Sequence, residues 1–143
     1  MIISNKGLNL IKNFESLRLK AYQSLSGNWE IGYRHTKNVT PNDMISELQA
    51  DCFLIQDLYQ IEQSINDSVC VNINQNQFDA LCSLIMDIGI MVFNKSALLI
   101  KLNKADYLGA SKEFKKFNKS ENLVLAKLIR RRKMETELFC SDL

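Results

Sequence analysis

The chain has 143 residues, the length of one domain or one compact unit with two lobes, and too short for two independent domains. Hydrophobic residues make up 46% and charged residues 24%, ordinary globular values that exclude a disordered chain. Net charge is +2, but residues 1–94 carry 6 basic and 10 acidic groups while residues 95–143 carry 12 and 6. A basic final third points to an anionic partner (nucleic acid, an acidic lipid surface or an anionic glycan) or to a solvated surface.

One Pro and five Gly leave too few turn signals for a multi-stranded sandwich or barrel, so a mainly helical fold is expected. No apolar run reaches the roughly 18–20 residues of a membrane span. Met1 to Lys6 lacks a basic region followed by an apolar stretch. The expectation is a protein cytoplasmic as synthesised, with no stable membrane association.

In chain order, Ser4 caps a short amphipathic helix over residues 4–14, with Leu8, Ile11 and Phe14 at helical spacing. Arg18 to Tyr33 reads as a β-hairpin, the one convincing strand region. Leu19, Ala21 and Tyr22 precede the turn cluster Ser24-Leu25-Ser26-Gly27-Asn28, and Trp29, Ile31 and Tyr33 then alternate with Glu30 and Gly32. Thr40-Pro41-Asn42-Asp43 signals a helix start with Thr40 as cap, and Ile45, Leu48, Cys52, Ile55 and Leu58 or Tyr59 carry an apolar stripe along residues 41–65, continued by Ile61, Glu62 and Ile65. Asn74 caps a central, buried helix that stops near Gly89. Ser96–Asn103, Asp106–Phe117 and Leu123–Phe139 complete an all-helical second half. The four cysteines, Cys52, Cys70, Cys82 and Cys140, form no C-x-x-C pair and have no neighbouring His. No metal or cofactor is therefore expected, and Cys52 and Cys82, on apolar helical positions, read as buried thiols.

Glu15 ends the first helix beside Phe14 and Leu17. Desolvation at such a place favours the protonated acid that a general acid requires; an exposed surface glutamate is the bland alternative.

The order of motifs resembles the phage-type lysozymes, or endolysins, of glycoside hydrolase family 24. Gly7-Leu8 through Phe14-Glu15, Leu17 through Tyr22, Gly27, Trp29, Ile31-Gly32-Tyr33 and His35-Thr36 carry the resemblance. So do Asn74 through Leu81, Ser96 through Asn103, Asp106 through Ala110, Phe114 through Lys119, and Arg130-Arg131-Arg132 through Phe139. The resemblance runs nearly end to end. It implies an α+β, mainly helical lysozyme-like fold, a single domain with a hairpin lobe and linking helix over residues 1–65 and a helical lobe over 66–143. It also implies descent from enzymes that cleave peptidoglycan between N-acetylmuramic acid and N-acetylglucosamine.

The family's catalytic Glu maps onto Glu15. Its Asp, two residues after the Ala-Tyr pair, maps onto Ser24, and its Thr, directly before Ile-Gly-Tyr, maps onto Glu30. A family Gly between Tyr and His is replaced by Arg34. Glycoside hydrolysis generally needs two carboxyl groups, one to protonate the leaving oxygen and one to activate water or attack the sugar. Ser24 supplies no charge, but Glu30 restores the count of two. Separations of about 5–5.5 Å favour a covalent course and about 6.5–9.5 Å leave room for water. The alternatives are that Arg34 pairs with Glu30 in a cleft that no longer works, or that it neutralises Glu15. The family His maps onto His35 as a structural residue paired with a carboxylate. One of Arg130, Arg131 and Arg132, with Arg131 counted as structural, is expected to reach Glu15. Trp29 stands as a sugar contact or as core, and Arg34 as a further substrate contact.

The leading reading is a monomeric peptidoglycan muramidase with an atypical site, reaching the wall through a pore made by another protein. The alternative is an inactive lysozyme-fold protein that binds peptidoglycan or a protein partner. Nucleic acid is disfavoured, because three arginines in a row on a helix point in three directions with no interleaved aromatics.

Overall fold

The computed structural model describes residues 1–120 and 123–143. Helix α1 (Asn5–Phe14) is capped by Ser4, whose Oγ accepts the Gly7 amide at 3.3 Å. Ser4 also donates its backbone N–H to the buried Asp79 carboxylate at 2.9 Å. Strands β1 (Arg18–Gln23) and β2 (Trp29–Gly32) form the antiparallel hairpin, with Tyr22 opposite Glu30 and Gln23 opposite Trp29.

The second long helix starts later than its first cap signal suggests. Helix α2 spans Glu47–Ser68, and its cap is Ser46 rather than Thr40. Ser46 Oγ accepts the Gln49 amide at 3.1 Å while Gln49 Oε1 accepts the Ser46 amide at 2.9 Å, a reciprocal capping box. Residues 43–45 are taken by β1 instead: the Ala21 amide donates to the Asp43 carbonyl and the Ile45 amide to the Leu19 carbonyl, both at 2.9 Å. Thr40 and Asp43 close a turn in which the Asp43 carboxylate accepts from Thr40 Oγ1 at 2.6 Å. Sheet-edge pairing satisfies these backbone groups and overrides the local helix signal.

The buried face of α2 departs from the expected stripe in its first half and keeps it at Leu58, Ile61 and Ile65. Ala50, Leu54, Leu58, Ile61 and Ile65 are buried, whereas Leu48, Ile55 and Tyr59 are exposed. Cys52 shares the exposed side, so the expectation of a buried thiol fails there and holds for Cys82; all four cysteines are free. Burial pushes the Cys82 thiol pKa far above its usual value.

Helix α3 (Gln75–Ile88) has the expected Asn74 capping box and ends at Gly89, whose φ of 90° is a left-handed conformation that favours glycine. Every residue from Gln77 to Ile85 is buried. Helices α4 (Ile90–Asn94), α5 (Ala97–Asn103, capped by Ser96) and α6 (Tyr107–Ser111, capped by Asp106) follow. The expected helix over 106–117 breaks into α6 and a 3-10 turn at Phe114–Lys116. The second half is not wholly helical, because β3 (Lys119–Ser120) pairs antiparallel with β4 (Leu123–Val124). The last helix, α7 (Ala126–Cys140), therefore starts after that pairing rather than at Leu123. It packs along α3.

Two compact units result: Ile11–Gln60, built on the hairpin, and Met1–Leu10 with Ile61–Leu143, built on α3. The hairpin unit buries Ile11, Phe14, Ala21, Ile31, Tyr33, Leu54 and Leu58. The helical unit buries Phe78, Leu81, Leu84, Phe93, Phe114 and Phe139, the last two in ring contact at 5.3 Å. Among the described residues no helix is long and apolar enough to cross a membrane.

The capping box at Ser46 gives an energetic test. Ser46→Ala lowers stability by about 1 kcal/mol, read as a shift of the urea midpoint. Thr40→Ala, in an exposed turn outside any helix, changes it by about 0.5 kcal/mol or less.

Candidate active site

Glu15 extends the last turn of α1, its amide donating to the Ile11 carbonyl at 2.9 Å. The residue is only 7% exposed. Arg34 brings a guanidinium nitrogen to 3.8 Å from Glu15 Oε1. Of the two carboxylates open to Arg34 in the sequence, the structure thus sets Glu15 beside it. Glu30 has a different partner: it accepts a 2.7 Å hydrogen bond from the Tyr22 hydroxyl directly across the hairpin. The Arg18 guanidinium lies over the Tyr22 ring, 4.6 Å from its centroid, in cation–π range.

The Tyr22 phenol reports on the electrostatics of this cluster. Its pKa is raised to about 12, first by burial, then by the Glu30 hydrogen bond and charge; Arg18 opposes the shift and the charge of Glu15 adds to it. Ser24 lies in the hairpin turn, its Oγ 2.9 Å from Ser26 Oγ and its amide bonded to the Asn28 carbonyl. Trp29 is half-buried at the start of β2.

Past β2 the chain reverses in a three-residue loop. Ile31 and His35 exchange backbone hydrogen bonds at 3.0 and 2.9 Å, and between them Gly32 and Arg34 have φ of 67° and 61°. A Cβ on Gly32 would lie 3.3 Å from Ala50 Cβ. Arg34 holds a left-handed conformation without glycine's freedom, at a typical cost of roughly 1–2 kcal/mol.

The family model described as phage lysozyme matches residues 12–135. The chain belongs to the phage lysozyme family. It is 48% identical to an endolysin of Acyrthosiphon pisum secondary endosymbiont phage 1, over 97% of this chain and 98% of that relative. It is 40% identical to an endolysin of Bacillus phage PZA over 99% of this chain, but spans only 56% of that longer protein. Among solved structures, the muramidase domain of SpmX from Asticaccaulis excentricus superposes with a TM-score of 0.92 at 38% identity, covering 96% of this chain and 97% of that one. The lysozyme fold expected from the motif order is the fold observed.

Within this phage lysozyme scaffold the single histidine is fixed. His35 is 5% exposed, its Nδ1 lies 2.8 Å from Asp57 Oδ2, and its ring stacks on Phe53 at 4.2 Å and 11°. Asp57 is the carboxylate that the sequence left unnamed. Arg131 donates to the Ser83 carbonyl at 3.0 Å and from Nε to Glu135 at 3.3 Å. Arg132 binds Glu135 at 2.7 Å and Asp87 at 3.0 Å. Burial pushes the Glu135 carboxyl pKa up, against the opposing pull of Arg132 and Arg131.

The roles of Tyr22 and Arg18 were not read from the sequence. Their signal was the hairpin register, which sets Tyr22 across from an acidic residue, but register depends on turn length and was open until the fold was known.

Two predictions follow from this geometry. Arg34→Gly is more stable than Arg34→Ala by about 1 kcal/mol, read from the two melting temperatures, because both variants lose the ion pair to Glu15 and only glycine relieves the left-handed strain. The second concerns pH. Because the Tyr22 pKa is raised in the fold from its usual 10.0 to about 12, its stabilising contribution is complete below pH 10. That contribution is lost as pH climbs toward about 12, so denaturation midpoints fall more steeply over this window in the native protein than in Tyr22→Phe.

Proposed function

We propose that this chain is a phage- or prophage-type muramidase that hydrolyses the peptidoglycan bond between N-acetylmuramic acid and N-acetylglucosamine, with Glu15 and Glu30 as its two carboxyl groups. The observation that supports the reading is a buried carboxylate, Glu15 at the end of α1, in the same hairpin unit as a second one, Glu30, whose carboxylate accepts the Tyr22 hydroxyl at 2.7 Å. Glu15, buried at the end of α1, protonates the leaving glycosidic oxygen. Glu30, on β2, activates water or attacks the sugar. Ser24 has no ionisable group to offer, and its hydroxyl is engaged with Ser26 in the turn. Trp29 and Arg34 contact the glycan, Trp29 by an apolar ring face and Arg34 by its guanidinium.

A second reading rests on one observation, the Arg34 guanidinium at 3.8 Å from Glu15. A fixed cation there competes with the substrate for the acid, which suits a site that holds the glycan, or a protein partner, without cleaving it.

Loss of turbidity of outer-membrane-stripped cells separates the two. Hydrolysis predicts lysis by the native protein, with Glu15→Gln and Glu30→Gln each reducing the rate at least about 100-fold. Lysis that survives Glu30→Gln would remove Glu30 from the mechanism. A native protein that sediments with peptidoglycan but lyses nothing at any pH would establish the binding reading instead.

A further inference from the structure

The side chain facing Glu30 is unusual for a carboxylate asked to act as base or nucleophile. It is a single half-buried phenol on the neighbouring strand, covered on its ring by a guanidinium. The hairpin register sets the Tyr22 and Glu30 backbones opposite each other. The 2.7 Å hydroxyl contact joins their ends. One Glu30 oxygen thereby has its direction set.

We propose that Tyr22 is the positioning residue for Glu30, with Arg18 bracing the Tyr22 ring, so that the three side chains form one relay on the hairpin. The proposal rests on the muramidase reading for its catalytic meaning, but the relay itself is a property of the fold. A glutamate side chain has three rotatable torsions and loses up to about 1.5–2 kcal/mol of rotamer entropy when fixed. The phenol contributes that ordering without adding a charge near the reacting sugar. Arg18 adds a cation on the ring face and opposes any tendency of the phenol to stay neutral at high pH. The charged groups acting on the phenol are Glu30, Arg18 and Glu15, and Arg34 in turn faces Glu15.

Two measurements on the intact chain test the relay. Alkaline titration followed by ultraviolet absorbance, with Tyr22→Phe identifying which phenol is which, should show the Tyr22 hydroxyl titrating at about 12 and moving down toward the ordinary tyrosine value in Glu30→Gln. A Tyr22 phenol indifferent to Glu30→Gln overturns the proposal, whether or not the protein is an enzyme. In the wall-lysis assay, Tyr22→Phe should lower kcat about tenfold with KM retained. Arg18→Gln should give the same change in smaller degree, while Arg18→Lys, which keeps the cation, should recover most of it. An active protein whose Tyr22→Phe variant keeps the native kcat also overturns the proposal. Coupled titration in a protein that lyses no wall would retire the muramidase reading and uphold the pairing.

Discussion

The antiparallel register of β1 and β2 is the constraint on which the hairpin unit depends. It sets Tyr22 against Glu30 and Gln23 against Trp29, and leaves the other edge of β1 free to bond with residues 43–45. Side chains alternate between faces along a strand, so a slip of one residue would move Glu30 to the opposite face. The same slip would separate it from the phenol. The loop after β2 is tied in turn: Ile31 and His35 bond each other, and His35 reaches Asp57 on α2. Strand register, loop and helix thus specify one another.

In the helical unit a buried ionic cluster takes the comparable place. Arg131, Arg132 and Glu135 are each no more than 2% exposed, and all three stand on α7. Ser83 and Asp87 on α3 complete the set. Burying these charges is costly unless each is paired and hydrogen-bonded, so the cluster says less about net stability than about alignment. It admits one rotation of α7 against α3, because turning either helix would strip a guanidinium of its acceptor.

Much of this fold was legible in the sequence. Helix α1 with its Ser4 cap, the hairpin limits, the Asn74 capping box, Gly89 as terminator and Ser96 as cap are local signals acting over three or four residues, and the structure keeps them. Signals that compete with distant partners failed. Thr40-Pro41 is a good helix start in isolation, yet Asp43 and Ile45 bond β1 and the true cap is Ser46. Leu48 and Ile55 have helical spacing, but Ala50 and Leu54 on the other side of α2 are the buried residues there, while Leu58, Ile61 and Ile65 are buried as expected; periodicity cannot choose between two stripes. Leu123 reads as helix until Lys119–Ser120 pairs with it. At the candidate site, identity and charge type could be read residue by residue, while the partners could not. Arg34 had two carboxylates to choose from, His35 lacked a named acid, and Tyr22 had no role at all.

The buried ion pairs also bear on the charge asymmetry along the chain. Residues 95–143 carry a formal excess of basic groups, yet Arg131 and Arg132 lie in the interior, bound to Glu135 and Asp87. Lys101 and Lys116 both serve the buried Glu113. What this final third presents to a large polyanion is a scatter of exposed cations, Lys104, Lys112, Lys115, Lys127, Arg130 and Lys133 among them. Attraction from such groups is long-ranged only in dilute salt and fades beyond about 8 Å at physiological ionic strength. Charges of this kind act on the rate at which a polyanion is met at low salt far more than on how tightly it is held.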